Sequence, residues 1–236
     1  MTATRQIHEM GSFRIGETGP RSRNGNTVAC VLVSSGQRNR FDEPQAEFTL
    51  FECLRNQLAS EGVVCFEIDF PAKVESNELA LLQRTERLRD LVASRPFLPF
   101  RNRYAIIALS FGGQTALNFL RDRRSSEWCP KFVILCSTVV DEPFVINVPV
   151  PTLSFIYGSL DVVAYRNSSS ESLDLIRADE YSQFARKNLV ITRNQRIETT
   201  ILSQTGHLLN SKSQSPEEVA QFLSNQFQLL DGHAGC

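Results

Sequence analysis

A single serine lies between an apolar run and a pair of glycines in the segment IIALSFGGQTALNFL, residues 106–120. Small residues stand two positions before and two positions after Ser110, namely Ala108 and Gly112. This spacing is typical of a serine on a sharp turn between a strand and a helix, where bulky neighbours would collide with the two elements. Such a serine can attack an acyl carbonyl. The alternative is a serine that only caps the following helix.

A serine hydroxyl needs a base to act as a nucleophile, and the sequence contains three histidines. His8 lies in the polar N-terminal segment and His233 in the C-terminal tail, so we expect both at the surface. His207 follows the last predicted strand, in ILSQTGHLLN, and would lie at the carboxyl edge of the sheet, where α/β folds bind ligands. We therefore predict His207 as the base, with a purely structural loop histidine as the alternative.

A histidine base needs a carboxylate that fixes its tautomer and stabilises the imidazolium. Asp161, in PTLSFIYGSLD, follows a predicted strand and would lie at the same sheet edge as Ser110 and His207. Asp141, after KFVILCSTVV, is the rival acid because it also follows a strand. Asp69, in EIDFP, is a weaker candidate that could instead cap a turn. We favour Asp161.

The elements that would position these side chains alternate along the chain. Apolar and β-branched runs predict strands at 27–35, 63–70, 104–110, 131–137, 151–158 and 197–203. Helical spacing of apolar residues predicts helices at 46–62, 78–94, 114–123, 173–187 and 215–230. This alternation predicts an α/β fold, a mostly parallel sheet with helices on both faces, because parallel strands need crossover connections.

We expect one domain over residues 1–236. Residues 1–26 are polar and indicate a peripheral N-terminal segment that supplies one strand, and the end of the chain, DGHAGC, indicates a frayed tail. A polar loop at 166–172 falls within residues 164–185, which we predict as a small lid. The chain closes with a helix that Ser215 caps and Glu218 completes as a capping box.

The chain order Ser, Asp, His is that of α/β hydrolases. With ALSFGG, VPTLSFIYGSLD and TGHLL, the chain resembles the α/β-hydrolase superfamily over most of residues 27–230. The resemblance implies a serine hydrolase without a large cap, in which Ser110 attacks, His207 transfers the proton and Asp161 orients His207. It also implies an oxyanion hole made by the backbone N–H groups of Phe111 and Gln37. The family often has His-Gly-x where this chain has Ser35, Gly36 and Gln37.

Esters and thioesters, including fatty acyl esters, are the substrates that the resemblance favours. Substrate-binding candidates are Gly36, Phe41 and Gly112. Phe41, Phe111 and Phe155 could line an apolar acyl pocket, or belong to the core. The alternatives are an acyltransferase with the same three residues and a noncatalytic binding protein of the same fold.

Composition and motifs exclude other classes of function. The formal net charge of −1 and the pI of about 6.3 provide no field that would attract nucleic acid or an anionic membrane. No apolar stretch approaches the ~18 residues of a membrane span. Glycine-rich nucleotide motifs and clustered metal ligands are missing from the sequence, so we expect neither cofactor nor metal. No pattern in the sequence indicates the oligomeric state.

The cysteines indicate the compartment. None of the six forms a C-x-x-C pair, and Cys30, Cys65 and Cys136 lie inside apolar runs, as buried thiols do. Reduced thiols and an N-terminal segment without a secretory apolar region predict a cytoplasmic protein.

Overall fold

The computed structural model describes residues 4–20, 23, 25–35, 41, 48–70, 76–122, 127–166, 173–191 and 195–233. Its strands are β1 (Thr4–Glu9), β2 (Arg14–Gly19), β3 (Ala29–Val33), β4 (Val64–Ile68), β5 (Tyr104–Leu109), β6 (Phe132–Cys136), β7 (Phe144–Val145), β8 (Thr152–Gly158), β9 (Val162–Arg166), β10 (Leu173–Arg177), β11 (Leu189–Val190) and β12 (Arg196–Leu202). Its α-helices are α1 (Phe48–Ser60), α2 (Asn77–Ala93), α3 (Phe111–Arg121), α4 (Ala178–Asn188) and α5 (Pro216–His233).

Within the described ranges, eight strands form the main sheet in the order β1-β2-β4-β3-β5-β6-β8-β12. All neighbours from β4 to β12 are parallel, whereas β2 is antiparallel to both β4 and β1. The carboxyl ends of the parallel strands therefore meet at one edge of the sheet, where an α/β fold places its ligands. The prediction of a mostly parallel sheet is confirmed.

The central strands are buried on both faces, as their continuous apolar runs predict. In β3, Ala29, Val31 and Val33 pack into one apolar cluster, and Cys30 and Leu32 pack into the other. Helices α2, α3 and α4 cover the first cluster, and helices α1 and α5 cover the second. Each cluster holds the helices against one face of the strands that carry the candidate site.

One prediction for the middle of the chain is wrong, and another falls almost entirely outside the described residues. The apolar spacing predicts a helix that starts at residue 173, but residues 173–177 form β10, which pairs antiparallel with β9. The first three residues of LDLIR alternate between apolar and polar, as residues in a strand do. The helix begins only at Ala178, where the Glu180 carboxylate accepts a hydrogen bond from the Arg177 N–H at 2.9 Å. The predicted loop 166–172 lies, beyond Arg166, outside the described residues.

The two ends of the chain contain more regular structure than the sequence predicts. The N-terminal segment supplies two strands, β1 and β2, because each can pair with the next strand of the sheet. Helix α5 continues to His233, so the first residues of the predicted frayed tail are helical. The capping box is confirmed, since the Ser215 N–H lies 2.7 Å from the Glu218 carboxylate and the Glu218 N–H lies 3.3 Å from the Ser215 hydroxyl.

Candidate active site

Ser110 lies on the turn between β5 and α3 with a strained backbone. Its φ is 53° and its ψ is −115°, a conformation that costs a residue with a side chain about 1–3 kcal/mol. The Ser110 N–H donates to the Cys136 carbonyl at 2.8 Å and the Gly113 N–H donates to the Ser110 carbonyl at 2.8 Å, so hydrogen bonds on both sides hold the turn. The strain presents the hydroxyl at the carboxyl edge of the sheet, as expected for a nucleophile elbow.

Gly112 allows the first turn of α3 to lie against the end of β3. A Cβ at this position would lie 2.3 Å from the Val33 carbonyl oxygen and 2.5 Å from the Ser34 carbonyl oxygen. No side chain fits at these separations, so the glycine of the motif is a requirement for close packing. Ala108, at the other small position of the motif, is fully buried in β5.

Three polar side chains form a hydrogen-bonded chain at this edge. The Ser110 Oγ lies 2.7 Å from the His207 Nε2, and the His207 Nδ1 lies 2.9 Å from the Asp161 Oδ1. With its Nδ1–H donating to the carboxylate, the neutral imidazole presents an unprotonated Nε2 to the serine hydroxyl. Asp161 is completely buried, whereas the His207 side chain is 30% exposed. The arrangement can remove a proton from Ser110 at a place that a substrate can reach.

The loops that carry the acid and the base pack directly on each other. The Leu160 N–H donates to the Thr205 carbonyl at 2.8 Å, and the Asp161 N–H donates to the Gly158 carbonyl at 2.9 Å. A Cβ on Gly158 would lie 2.2 Å from the Thr205 carbonyl oxygen, so only a glycine permits this approach. The contact fixes the loop after β12, and with it His207, relative to Asp161.

The rival residues lie outside this hydrogen-bonded chain. Asp141 is exposed, and the Asp69 carboxylate accepts hydrogen bonds from the Arg14 Nε at 2.6 Å and the Phe41 N–H at 3.2 Å. The His8 Nε2 lies 2.7 Å from the Glu17 carboxylate, in the pair of strands at the N-terminus. Among the described residues, Asp161 is therefore the acid hydrogen-bonded to His207.

The structure describes only some of the candidates for the oxyanion hole and for substrate binding. Phe111 is half-buried, and its N–H donates no hydrogen bond to any described residue. Gly36 and Gln37 lie outside the described residues. The Phe41 ring lies against Arg5 in β1, whose guanidinium carbon is 5.0 Å from the ring centroid. Its role in binding substrate stays a prediction.

Phe155 is a candidate for an acyl pocket in the sequence, but in the structure it belongs to the core. It is completely buried, and its ring stacks on Tyr157 with the centroids 6.2 Å apart. Strand β8 is covered on both faces, so an inward side chain in its middle cannot line an open pocket.

Sequence reasoning misses two residues near the site. The first is Tyr157, whose hydroxyl donates a hydrogen bond to the Thr138 carbonyl at 2.9 Å. Burial is the main cause that raises the pKa of Tyr157, and the negative charge of Asp161 adds to it, so the hydroxyl stays a neutral donor. Arg84, in α2, is buried and donates to the Ser34 carbonyl at the end of β3. Arg84, Arg87 and Arg89 share one segment, and no pattern in the sequence marks the first as the most buried.

A small cavity of about 130 Å³ adjoins the loop that carries His207. Its lining combines leucines with polar side chains: Thr49, Leu50, Leu208, Leu209, Asn210, Ser211, Gln214 and Pro216. A larger cavity of about 430 Å³ lies between α2 and α3 and is lined by none of the three hydrogen-bonded residues. The smaller cavity is also lined by none of these three residues, although Leu208 directly follows His207.

The described residues offer neither a metal cluster nor a membrane span. No group of three or more histidine, cysteine, aspartate or glutamate side chains among them is placed to hold a metal ion. No described helix combines the length and the apolar character that crossing a membrane would require.

This chain is similar to known proteins in its structure but not in comparisons of its sequence. No family model matches the sequence, and a search of curated proteins finds no match. The dienelactone hydrolase of Anabaena variabilis is 13% identical over 97% of each chain, with a TM-score of 0.61. Est1E of Butyrivibrio proteoclasticus is 10% identical over 96% of this chain and 98% of its own, with a TM-score of 0.62. MGS-M1, an α/β-hydrolase enzyme from a Medee basin deep-sea metagenome library, is 11% identical over 99% of each chain, with a TM-score of 0.64. These similarities identify the fold over nearly the whole chain.

Proposed function

We propose, from the α/β-hydrolase fold of this chain and the contacts among Ser110, His207 and Asp161, that it is a serine hydrolase. The observation that carries the proposal is the unbroken hydrogen-bonded chain from a buried carboxylate, through an imidazole, to a serine on a strained turn. A noncatalytic protein of this fold would have no need to hold a serine at a φ of 53° beside a histidine.

Acylation begins when the Ser110 hydroxyl attacks the carbonyl carbon of the substrate. As the new C–O bond forms, the hydroxyl proton moves to the His207 Nε2, and the carbonyl oxygen takes up the negative charge. The tetrahedral intermediate then expels the alcohol or thiol, which receives the proton from His207. Asp161 holds the ring in the tautomer that accepts the proton and stabilises the imidazolium.

Deacylation repeats these steps with water as the nucleophile. His207 removes a proton from water as the oxygen bonds to the acyl carbon, and it returns the proton to the Ser110 oxygen as the ester bond to the enzyme breaks. The products are a carboxylic acid and the free enzyme. The 30% exposure of the His207 side chain supports this step, because water can reach the base.

The negative charge on the substrate oxygen requires preorganised donors. The Phe111 N–H is the first, since it follows the nucleophile and donates to no group in the described structure. The proposed second is the N–H of Gln37, which comes four residues after the last residue of β3 in the sequence. Removing one such donor typically slows an acyl-transfer enzyme by about 10²–10³-fold.

The proposed substrate is a small carboxylic ester or thioester. The position of the site at the carboxyl edge of the sheet, where α/β folds bind their ligands, supports a small-molecule substrate. An amide is disfavoured only by its poorer leaving group, so esters and thioesters are the substrates to test first.

Labelling with a fluorophosphonate probe tests the proposal. The probe phosphonylates only a serine that a base activates, so we expect the wild type to react and Ser110→Ala and His207→Ala to remain unlabelled while folded. Ser137→Ala is the matched control: Ser137 also has a positive φ, 49°, but its Oγ has no hydrogen-bond partner among the described residues. We expect this variant to react as the wild type does. A folded wild type that resists the probe would contradict the proposal and favour a binding protein.

A further inference from the structure

Arg84 is a fully buried arginine that the triad itself does not explain. It lies in α2, and only 2% of it is exposed. Arginine is rarely buried to this extent unless its donors are bound, because an ionised group loses its hydration inside a protein. The surroundings of the guanidinium therefore indicate what it does.

Among the described residues, this guanidinium donates hydrogen bonds to two different elements. One terminal nitrogen, Nη2, donates to the Ser34 carbonyl, directly after β3, and the Nε donates to the Thr115 Oγ1 in α3 at 3.2 Å. The Thr115 hydroxyl in turn donates to the Phe111 carbonyl at 3.2 Å. A single side chain thus joins the end of β3 to the first turn of the helix that follows Ser110.

Aromatic rings enclose the same guanidinium. Its central carbon lies 3.9 Å from the centroid of the Phe70 ring and 5.3 Å from the centroid of the Phe111 ring. Cation–π contacts of this kind stabilise a buried positive charge. They also restrict the plane of the guanidinium, and the Phe111 ring belongs to the residue whose N–H is the proposed oxyanion donor.

We propose that Arg84 is a positioning residue that holds the Phe111 peptide, whose N–H is the proposed oxyanion donor, at a set distance from the Ser34 peptide at the end of β3. The inference rests on the proposed function. Arg84 acts through its contacts with Ser34, Thr115 and Phe111, without touching the substrate.

Only arginine suits this position. Its planar group offers donors at fixed angles, so one side chain can hold two acceptors on different elements, and it remains charged at every physiological pH. Lysine carries a single ammonium at the end of a flexible chain and cannot fix both acceptors at a set distance. Methionine has a comparable length and fills the space without donors.

The test compares Arg84→Met and Arg84→Lys with Arg89→Met, a matched control. Arg89 lies in the same helix, is 8% exposed and pairs with Asp122 at 2.6 Å, away from Ser110. The measurements are the melting temperature, kcat and KM for a p-nitrophenyl ester, and inhibition by a trifluoromethyl ketone. The ketone forms a tetrahedral adduct with the serine, so its oxyanion occupies the hole that the ester carbonyl enters in the transition state.

We expect Arg84→Met to lower kcat by about 100-fold, the cost of misplacing a catalytic group by about 1 Å, with little change in KM. Inhibition by the ketone should weaken in proportion. Arg84→Lys should recover only part of the loss. Arg89→Met should lower the melting temperature while leaving kcat and the inhibition within about twofold, because surface and peripheral changes do not reach the hole.

Each outcome decides the question. Wild-type kcat and ketone inhibition in folded Arg84→Met, or full recovery by Arg84→Lys, would overturn the inference while the proposed function stands. A wild type that neither hydrolyses the ester nor reacts with the ketone would overturn both. Should Arg84→Met fail to fold, Thr115→Val removes one of the two acceptors; we expect a loss of about tenfold in kcat, and an unchanged kcat would reject the inference.

Discussion

Asp161 and His207 are 46 residues apart in the sequence, yet the Oδ1 of one lies 2.9 Å from the Nδ1 of the other. Their proximity follows from the sheet, because Asp161 comes after β8, His207 comes after β12, and these two strands are parallel neighbours. The loops beyond the strands then pack on each other through Gly158 and Thr205. Asp161 and His207 are thus brought together by strand pairing.

The first prediction concerns the identity of the acid. Asp161→Asn replaces the carboxylate by an amide that cannot enforce the same tautomer of His207, so we expect kcat for a p-nitrophenyl ester to fall by about 10⁴-fold. The measurement is steady-state hydrolysis with circular dichroism as the check on folding. Asp141→Asn is the control, since this rival acid is exposed, and we expect its kcat to remain near that of the wild type. The reverse pattern would identify Asp141 as the acid.

The second prediction concerns the close approach of the acid and base loops. Gly158→Ala places a methyl group where the Thr205 carbonyl lies, so we expect a loss of stability of about 1–3 kcal/mol. The displaced loop carries His207, and the rate of fluorophosphonate labelling should fall by about 100-fold.

Gly25→Ala is the matched control for this change. Gly25 is exposed, and a methyl group added to it would meet no atom of a described residue within 4 Å apart from its chain neighbours, so the stability should change by less than about 0.5 kcal/mol. Urea unfolding and timed labelling measure the two effects. Labelling of Gly158→Ala at the wild-type rate would show that the contact does not position His207.

The third prediction concerns stability at alkaline pH. Burial raises the pKa of the Cys136 thiol from its ordinary 9.0 to about 12, and it also raises the pKa values of Cys30 and Cys65. Above pH 9 the unfolded chain loses thiol protons that the folded chain keeps. The free energy of unfolding therefore decreases with rising pH, by about 1.4 kcal/mol per pH unit for each thiol, and the stability present below pH 9 is lost progressively toward pH 12.

Urea unfolding at several pH values below and above pH 9 measures how steeply the free energy of unfolding changes with pH. Cys136→Val removes one of the contributing thiols. We therefore expect the free energy of unfolding of this variant to depend less steeply on pH than that of the wild type, by the contribution of one thiol. Equal slopes for the two proteins would mean that Cys136 ionises in the folded state as easily as in the unfolded one.

Much of the fold could be predicted because the buried strands have a simple signature. Strands such as β3 and β5 face helices on both sides, so every residue is apolar and the run stands out from the polar connections. Ser110 is recognisable for a related reason, since Gly112 is required where the helix touches β3. The three proposed catalytic side chains lie in contact, and their roles stay a prediction.

What the sequence did not reveal depends on contacts between distant segments. Residues 173–177 run into a helix without an interruption, and only pairing with β9 makes them a strand. Arg84 resembles the other arginines of α2 until that helix packs against α3 and the end of β3. Burial of one charged residue among several similar ones is decided by tertiary packing.

The order of the strands has a consequence for the reach of the histidine. Strand β6 separates β5, which leads to Ser110, from β8, which leads to Asp161. Neighbouring strands are ~4.8 Å apart, so the two strands are separated by ~10 Å, farther than a serine and an aspartate side chain can span together. The imidazole ring of His207 bridges this gap with one nitrogen toward each side. A shorter side chain in place of His207 would therefore leave Ser110 and Asp161 unconnected.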